Sequence, residues 1–318
     1  MKNVKYLFKY FLQTSKILIQ KIILIIFLLV GYFSLAQLSN ITRNYSERNA
    51  INLVGNFDVI GNTNMQCSGC GAGTQTNNPP VNMVYVDIDG DVTTQNSSSS
   101  LFTLPLGATV EWAGLYWGGV YSSTFGGITN PVGLNNNQVR LKQPGAAGYT
   151  TINAILRNLE TTFSSGWNTF MAFAEITSIV QSAGSGNYSV ADINLATGSA
   201  FTGPNGGWTM VIIYSDSSDL SRRINVWDGF RFFGFGTSDS FTVTGVLTPT
   251  LGVFETKIAY FGMDGEMSSV GDFININGSA LSNTLNPANI FIMVLYPYLE
   301  LIIPIEHRIL LVIIGDMT

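Results

Sequence analysis

Short apolar segments alternate with turn-forming residues along most of the chain. Clusters of Gly, Asn, Ser and Thr separate segments in which apolar residues either alternate with polar ones or run continuously, which is the pattern of strands and turns. Many short strands at this spacing are typical of a sandwich or jelly roll. We therefore predict an all-β fold, a β-sandwich or jelly-roll-like antiparallel domain. The predicted strands lie near residues 81–88, 109–117, 138–141, 149–156, 169–174, 188–193, 208–214, 223–227, 240–246, 254–261 and 272–276.

Two of these segments differ in their predicted surroundings. Residues 208–214 are apolar on both sides of the strand, which predicts a central strand that is buried on both faces. Residues 223–228 alternate, which predicts that one face lies in water. Between the two ends of the chain, helical periodicity is confined to a short segment at residues 175–182. No repeat of fixed period occurs, so propellers and solenoids are disfavoured.

The N-terminal segment has the layout of a secretory signal. Residues 1–21 contain five lysines and no acid, an apolar run follows at 22–33, and residues 34–36 form a small-x-small cleavage pattern. We predict cleavage before Gln37. The apolar core is about half as long as a membrane-spanning helix. The alternative is an uncleaved anchor helix that starts near Tyr10.

The rest of the chain divides into three parts by composition. A polar lead (37–51) precedes a β domain (52–289), and an aliphatic tail (290–318) follows. Prolines and charged residues interrupt the aliphatic blocks of the tail, so it suits neither a membrane span nor a solvated linker. We predict that the tail adds nothing to the stability of the β domain. Our hypothesis is that it comes from a truncated or frame-shifted version of a longer protein.

Composition argues against two classes of protein. Only 11% of the residues are charged and 12% are aromatic, whereas disordered chains combine high net charge with few aromatic residues. Without residues 1–36 the chain keeps ten Lys and Arg against twenty Asp and Glu, a net charge of −10. The basic residues are scattered, with Arg222 and Arg223 the only adjacent pair, so nucleic acid is not an expected partner.

The two cysteines, Cys67 and Cys70, occur in the sequence Cys-Ser-Gly-Cys. A thioredoxin-like redox pair is one interpretation, but it requires a strand before the motif and a helix after it. Glycine and asparagine flank the motif on both sides. The only histidine, His307, is distant, so a zinc site is not expected. We predict a small loop disulfide formed in an oxidising compartment.

One acidic motif is a candidate calcium site. Asp87, Asp89 and Asp91 alternate in the sequence Asp-Ile-Asp-Gly-Asp, and calcium prefers several oxygen ligands of this kind. The EF-hand pattern would require glutamate at the twelfth position, which is Ser98 here. The motif therefore predicts a non-EF-hand Ca²⁺ site, and the alternative is an acidic turn at a strand end.

A second acidic group comprises Asp264, Glu266 and Asp272. It is a further candidate cation site. A carboxylate pair of this kind could also serve a glycosidase as acid and nucleophile, but acidic turn residues are common on secreted β proteins, and we favour the turn interpretation over catalysis.

No catalytic machinery stands out, and we predict that the chain is not an enzyme. Ser-His-Asp and Cys-His catalysis usually need a histidine base, and no G-x-S-x-G, H-E-x-x-H or phosphate-binding loop occurs. Aromatic side chains could form a carbohydrate-stacking platform, although aromatics at strand spacing more often pack in a core. The aromatic residues in question are Trp112, Tyr116, Trp117, Trp208 and Trp227.

Several segments together resemble a known family. Residues 108–119 read ATVEWAGLYWGG, residues 206–214 read GGWTMVIIY, and residues 223–230 read RINVWDGF. Residues 262–272 and 285–289 fit the same pattern. These segments resemble the N-terminal β domain of large bacterial adhesin-like, gliding-motility-associated cell-surface proteins, which are cargo of the type IX secretion system.

The resemblance implies an exported, non-enzymatic surface module with a role in adhesion or in the cell envelope. Its implied partners are the secretion machinery during export and an unknown surface glycan or protein ligand. The resemblance covers residues 52–289 and carries over no catalytic residue. The alternative function is that of a secreted protein that binds or cleaves carbohydrate through an aromatic and carboxylate face.

Overall fold

The structure is a computed structural model that describes residues 43–70, 81–160, 166–200, 203–230, 240–244, 256–263, 273–282, 299–303 and 310–314. In these ranges one helix, α1 (Thr177–Ala183), accompanies nineteen strands. The strands are β1 (Arg43–Thr63), β2 (Met65–Cys67), β3 (Met83–Tyr85), β4 (Ser97–Phe102), β5 (Thr109–Ser123), β6 (Ile128–Thr129), β7 (Gln138–Lys142), β8 (Thr150–Asn153), β9 (Leu156–Glu160), β10 (Trp167–Glu175), β11 (Gly186–Ala191), β12 (Thr197–Gly198), β13 (Gly206–Ser215), β14 (Ser221–Phe230), β15 (Thr256–Phe261), β16 (Asn275–Ile276), β17 (Ser279–Ala280), β18 (Leu299–Ile303) and β19 (Leu310–Ile314).

These strands form four sheets. The largest has nine strands in the order β18-β15-β19-β14-β1-β13-β5-β10-β9. Two sheets have four strands each, in the orders β4-β11-β7-β8 and β2-β3-β12-β6, and β16 pairs with β17. Among the described strands, only β19 pairs in parallel, with β14 and with β15. The predicted all-β, sandwich-like antiparallel fold is confirmed.

The longest strand, β1, belongs to both halves of the nine-stranded sheet. Residues 43–54 pair with β14, and residues 55–63 pair with β13. The sequence predicts a polar lead at residues 37–51, a loop at residues 61–64 and no strand in this range. Apolar residues at 51, 53, 57 and 59 nevertheless alternate with polar ones at 52, 56 and 58, and this period-2 pattern was the signal for a strand.

The segment between β13 and β14 crosses β1 at Gly55. The two strands flank β1 on opposite sides, so the chain must pass from one side of β1 to the other. Asp216 N–H donates to the carbonyl of Val54 at 2.9 Å, and Gly55 N–H donates to the carbonyl of Leu220 at 3.1 Å. A Cβ on Gly55 would collide with the Tyr214 carbonyl oxygen. Glycine is therefore required at this crossing.

One face of the nine-stranded sheet packs against the sheet β4-β11-β7-β8 and helix α1. Tryptophans from β5 and β13 meet aliphatic and aromatic residues of the smaller sheet in this first core, and Val180 of α1 joins them. The largest of these side chains are fully buried. The members that show both layers are Trp117, Trp208, Val139, Leu141, Tyr188 and Val190.

The other face of the nine-stranded sheet folds onto itself. The second core joins residues of β5 and β10 to residues of β14 and β15, among them Tyr116, Phe173, Val226 and Phe261. The Tyr116 hydroxyl donates to Asp228 at 3.2 Å. β1 and β13 lie between β5 and β14, so in a flat sheet the two strands would be three strand spacings, or about 14 Å, apart. The sheet is therefore strongly coiled, and its two halves enclose the second core.

A buried polar network joins the strands around the first core. Asn64 donates to Asn96 at 2.8 Å and accepts from the Ser98 hydroxyl at 2.6 Å, and the Trp208 indole N–H donates to that hydroxyl at 2.8 Å. Asn96 also donates to the carbonyl of Ile193 at 2.9 Å. Asn64, Asn96 and Ser98 are completely buried. A satisfied network of this kind fixes the register of the elements that it joins.

The central strands agree with the sequence analysis, but the environment predicted for β14 is wrong. Residues 208–213 of β13 are fully buried, as predicted. On β14, however, the consecutive residues Ile224, Asn225 and Val226 are all 0% exposed, so neither face lies in water there. The coiling of the sheet covers the face that the alternating pattern assigned to solvent. Residues 240–244, predicted as part of a strand, form none.

The predicted aliphatic tail, residues 290–318, contains β18 and β19, which pair within the nine-stranded sheet. The boundary of the β domain at residue 289 stays a prediction. β18 pairs with β15, and β19 lies between β15 and β14. In the described part of the chain, no helix is long and apolar enough to cross a membrane.

Candidate functional site

The acidic motif lies in the loop between β3 and β4, at one end of the sheet β4-β11-β7-β8. Asp87 forms an isolated bridge with Ser97, the first residue of β4. The loop turns back on itself at Gly90, whose φ of 59° favours glycine. Gly90 N–H donates to the carboxylate of Asp87 at 3.2 Å. The loop thus begins and ends beside the same strand.

Two carboxylates of this loop share one hydroxyl donor. Ser97 Oγ lies 2.9 Å from Asp87 Oδ1 and 3.1 Å from Asp89 Oδ1. A hydroxyl has one proton, so it can satisfy only one of the two carboxylates at a time. The other oxygen of Asp89 accepts from the Tyr149 hydroxyl at 2.8 Å. Tyr149 precedes β8, so this bond ties the acidic loop to the edge of the four-stranded sheet.

Asp91 makes a separate local turn, and a basic residue holds the loop from the other side. Asp91 Oδ1 accepts hydrogen bonds from the N–H and the hydroxyl of Thr93, at 2.9 and 2.7 Å. Arg140 of β7 donates to the carbonyl of Thr93 at 2.9 Å and lies 3.8 Å from a carboxylate oxygen of Asp192. Asp192 Oδ1 in turn accepts from the N–H of Gln95 at 2.7 Å.

Hydrogen bonds set the charge states in this loop. Burial raises the pKa of Asp89, but the hydroxyl donors Tyr149 and Ser97 outweigh it and lower the pKa below its ordinary value. The N–H and hydroxyl of Thr93 lower the pKa of Asp91. Burial, followed by the Asp89 carboxylate, raises the pKa of Tyr149. At neutral pH the loop therefore presents ionised aspartates beside a neutral tyrosine.

The predicted calcium site remains a prediction. Asp87, Asp89 and Asp91 lie in one loop, but in the described part of the chain no group of three or more His, Cys, Asp or Glu side chains is arranged to hold a metal ion. Each of the three carboxylates accepts hydrogen bonds from groups within the fold. The second candidate group, Asp264, Glu266 and Asp272, lies outside the described residues.

Three exposed apolar side chains lie in or next to the acidic loop. Val92 is 99% exposed, Val132 is 83% exposed and Ile88 is 49% exposed. The Gln95 side chain donates to the carbonyl of Val132 at 3.0 Å, so the loop that carries Val132 lies against the acidic loop. We call Ile88, Val92 and Val132 the apolar rim.

The tryptophans do not form an exposed platform. Trp117 and Trp208 are 0% exposed and Trp112 is 8% exposed. Trp227 is partly buried and packs beside Ile258 and Tyr260 in a third core cluster. Tyr116 is 1% exposed. The aromatic residues considered for carbohydrate stacking therefore belong to the packing of the sheets.

Cys67, the last residue of β2, forms a disulfide with Cys70 in the loop that follows, with Cα atoms 5.5 Å apart. Gly69 between them has a φ of 78°, which closes the short loop. Cys67 also packs against the first core. Strand β2 ends at the first cysteine of the motif, and residues 71–80 after the motif lie outside the described residues. The redox interpretation and the oxidising compartment both stay predictions.

A buried ionic cluster was missed by the sequence analysis. The Asp228 carboxylate, 1% exposed, pairs with Arg48 at 2.6 Å and with Arg43 at 2.8 Å. Arg48 also lies over the ring of Phe173, 4.8 Å from its centroid. Burial and the neighbouring Asp228 raise the pKa of Tyr116 well above its usual range. No local sequence motif indicates this cluster, because its members are separated by up to 185 positions in the sequence.

Comparison with known proteins leaves the function to be inferred from these residues. No family model matches the chain, and neither a curated protein nor a solved structure matches it.

Proposed function

We propose that the chain is an exported, non-enzymatic surface module with a role in adhesion or in the cell envelope. Its site of action is the cell surface or the extracellular space, and its ligand is a surface protein or glycan. The sequence resemblance to gliding-motility-associated, adhesin-like proteins points to type IX export and to the same role. Acting by contact, such a module requires a stable scaffold and exposed loops rather than a catalytic cleft.

The burial of the tryptophans carries this proposal. A protein that stacks sugars needs exposed aromatic faces, whereas Trp112, Trp117 and Trp208 pack between the layers. The same burial argues against the alternative of a carbohydrate-binding or glycan-cleaving protein that acts through an aromatic and carboxylate face. The tryptophans stabilise the scaffold instead, because large aromatic side chains bury more apolar area than other residues.

The apolar rim and the acidic loop supply a contact surface. Val92 and Val132 expose apolar side chains, and Asp89 and Asp91 add negative charge in the same loop as Val92. Arg140 adds one positive group at the same end of the sheet. A surface that combines apolar tips with charges of both signs suits a protein partner, since aliphatic side chains contribute affinity and charges contribute orientation.

The adhesion role is tested with beads coated with the full chain and held under flow over bacterial cells. The double variant Val92→Ser/Val132→Ser removes the two most exposed side chains of the apolar rim without touching the core. Leu106→Ser is the matched control, because Leu106 is as exposed as Val92 but lies in the turn before β5. We expect bead retention to fall in the rim variant and not in the control. Equal retention of all three proteins would contradict a role for the rim.

A glycan array and a hydrolysis screen test the enzymatic alternative. We expect no release of reducing sugar from any polysaccharide in the screen. Saturable binding to one glycan class without hydrolysis would identify the ligand of the module. Hydrolysis that survives purification to homogeneity would overturn the non-enzymatic assignment.

Export is tested by intact-mass measurement of the protein recovered from its native cells. The small-x-small pattern at residues 34–36 predicts a chain that begins at Gln37. A recovered chain that still contains residues 1–36 would favour an anchor helix instead.

A further inference from the structure

Asn277 and Gly278 form the turn of the hairpin β16-β17. Ile276 lies opposite Ser279 in the antiparallel pair, so Asn277 and Gly278 are the two residues of the loop. Asn277 has a φ of 49° and Gly278 a φ of 83°, the positive values that a type I′ turn requires. Both residues are exposed. In such a turn the residues on either side of the loop make the hydrogen bonds of the ladder, so the Gly278 N–H takes no part in it.

Little of the sheet structure holds this turn in place. β16 and β17 have two residues each, and in the described part of the chain they pair only with each other. An isolated two-stranded hairpin is marginally stable in water. Nothing in the described ranges lies within 4 Å of the position of a Cβ on Gly278. The turn can therefore open locally without any opening of the nine-stranded sheet.

The other Asn-Gly pair of the chain, Asn205-Gly206, has the opposite environment. Asn205 is 5% exposed, and its carbonyl accepts from the N–H of Val120 at 2.9 Å. Gly206 begins β13 and pairs with Gly119 on β5. The carbonyl of Gly206 accepts from the N–H of Asn64 at 3.1 Å. Movement of the Asn205-Gly206 backbone therefore requires central strands of the large sheet to separate.

We propose that Asn277 is a site of spontaneous deamidation. The backbone nitrogen of Gly278 gives up its proton to solvent and attacks Cγ of Asn277. A bond forms between this nitrogen and Cγ, the bond from Cγ to Nδ2 breaks, and Nδ2 takes up a proton and leaves as ammonia. Water then opens the resulting succinimide ring at either carbonyl, which yields aspartate or isoaspartate. Glycine favours the attack because it has no side chain beside the nitrogen.

The reaction consumes one water and releases one ammonia, so it needs no cofactor and no oxidant. Both products place a negative charge on a turn that was neutral. Isoaspartate also adds one carbon to the backbone of the loop, which no longer fits a two-residue turn, since loop length sets the turn type and the register. This inference does not depend on the adhesion role.

The hairpin covers part of β15, so a change in its turn affects packing. The hairpin and its flanking residues contribute Ile274, Ile276 and Leu281 to the third core cluster, where they pack with Ile258 and Tyr260 of β15. The Leu281 N–H donates to the carbonyl of Ile274 at 2.8 Å and extends the pairing of the two strands. We expect the isoaspartate product to loosen this cover and to expose the Leu281 N–H to exchange.

The test follows both Asn-Gly pairs in the full chain. Folded chain and chain denatured in guanidinium chloride are incubated in mildly alkaline buffer, and peptide mass mapping measures the replacement of the amide NH₂ by OH. Electron-transfer fragmentation separates isoaspartate from aspartate. In the folded chain we expect Asn277 to react at least about tenfold faster than Asn205, because only Asn205 requires opening of a buried strand. In the denatured chain the two rates should become similar, because both residues precede glycine.

Asn277→Gln is the matched variant, because glutamine would have to close a larger ring and reacts more slowly. Its peptide at position 277 should keep the amide, and Asn205 should still react when the variant is denatured. Hydrogen exchange of the Leu281 N–H should be faster in aged wild-type chain than in aged Asn277→Gln.

Each outcome bears on the proposal. A folded chain in which Asn277 reacts no faster than Asn205 would overturn it, since the fold would then protect both residues alike. A mass gain of the same peptide that persists in Asn277→Gln would assign the reaction to another residue and would also overturn it. Equal exchange of the Leu281 N–H in the two aged chains would show that the product leaves the hairpin intact and would exclude the loosening.

Discussion

Arg48 of β1 forms a bidentate ion pair with the carboxylate of Asp228 on β14. Its Nε donates to Oδ2 at 2.6 Å, and its Nη2 donates to Oδ1 at 3.2 Å. The same carboxylate accepts from the Tyr116 hydroxyl of β5 at 3.2 Å. Arg48 and Tyr116 belong to the two halves of the coiled sheet, so this carboxylate holds the halves together. A bidentate arginine is suited to that task because it fixes orientation as well as charge.

Removing the Asp228 carboxylate should destabilise the fold strongly. Asp228→Ala leaves Arg43 and Arg48 without their counter-ion in a buried site, and breaking a buried pair from one side costs about 3–5 kcal/mol. Urea denaturation measures the change in the free energy of unfolding. Arg223→Ala is the control, because its pair with Glu47 is partly exposed at 3.8 Å and should contribute less than about 1 kcal/mol. Similar losses in the two variants would contradict the role of the buried cluster.

The hydrogen bond from Tyr149 should control the pKa of Asp89. In Tyr149→Phe the hydroxyl donor is lost, so the pKa of Asp89 should rise. Asp91 is the internal control, because Thr93 rather than Tyr149 lowers its pKa. A carboxyl NMR titration resolves both groups in one experiment. An unchanged Asp89 pKa, or an equal rise at Asp91, would show that the bond to Tyr149 is not the cause.

The same lowered pKa predicts how stability depends on pH. A carboxyl group whose pKa falls on folding stabilises the protein above its unfolded-state pKa, about 3.9 for aspartate, and this stabilisation disappears as the pH falls through the folded-state pKa. Wild-type chain should therefore exceed Asp89→Asn in stability at pH 6, and the difference should shrink as the pH falls below about 4. Thermal denaturation across this range measures it. A difference that does not change with pH would exclude ionisation of Asp89 as its origin.

Calcium should raise the melting temperature if the acidic loop binds it. Asp87 and Asp89 share one hydroxyl donor, so a divalent ion could relieve the repulsion between them, and a ligand of the folded state stabilises by mass action. Melting curves with millimolar calcium and with chelator decide this. Asp89→Ala should lose part of the rise, whereas Asp216→Ala, in the turn after β13, should keep it. Identical melting curves with calcium and with chelator would show that the acidic loop does not bind calcium.

Gly55 should not tolerate a side chain. A Cβ there would meet the carbonyl oxygen of Tyr214 and would lie 2.8 Å from Ser215 Cα, and backbone cannot move aside cheaply at a strand crossing. We expect Gly55→Ala to cost about 2–3 kcal/mol. Gly148→Ala is the matched control, because nothing lies within 4 Å of its Cβ position. The two variants are compared by urea denaturation, and a neutral Gly55→Ala would contradict the crossing.

The tail should contribute to stability, contrary to the expectation from sequence. β18 pairs with β15, and β19 pairs with both β14 and β15. A chain that ends at Asn289 loses these pairings and should unfold at lower urea concentration than the full chain. If the two chains are equally stable, residues 290–318 contribute nothing to the stability of the β domain, as the sequence predicts.

The sequence by itself determined the fold class and the central strands. The spacing of apolar and polar residues is a local property, so the all-β class and the doubly buried segment at residues 208–213 could be predicted without knowledge of contacts. The same local signal was present in β1, but its Asn and Gly residues also suit turns, and only pairing with β13 and β14 resolves that conflict. The acidic loop was found because its three aspartates lie within five positions.

Only the tertiary structure decided which surfaces meet. Nothing local reveals that the nine-stranded sheet coils until Tyr116 reaches Asp228, since their strands are separated by two others. For the same reason the ionic cluster around Asp228 could not be predicted from the sequence. The coiling of the sheet also buries the face of β14 that the alternating pattern predicts to lie in water. The aliphatic run in β19 fits neither water nor an interrupted membrane span. In the structure this run pairs with β14 on one side and with β15 on the other, and a strand enclosed by buried neighbours favours apolar residues on both faces.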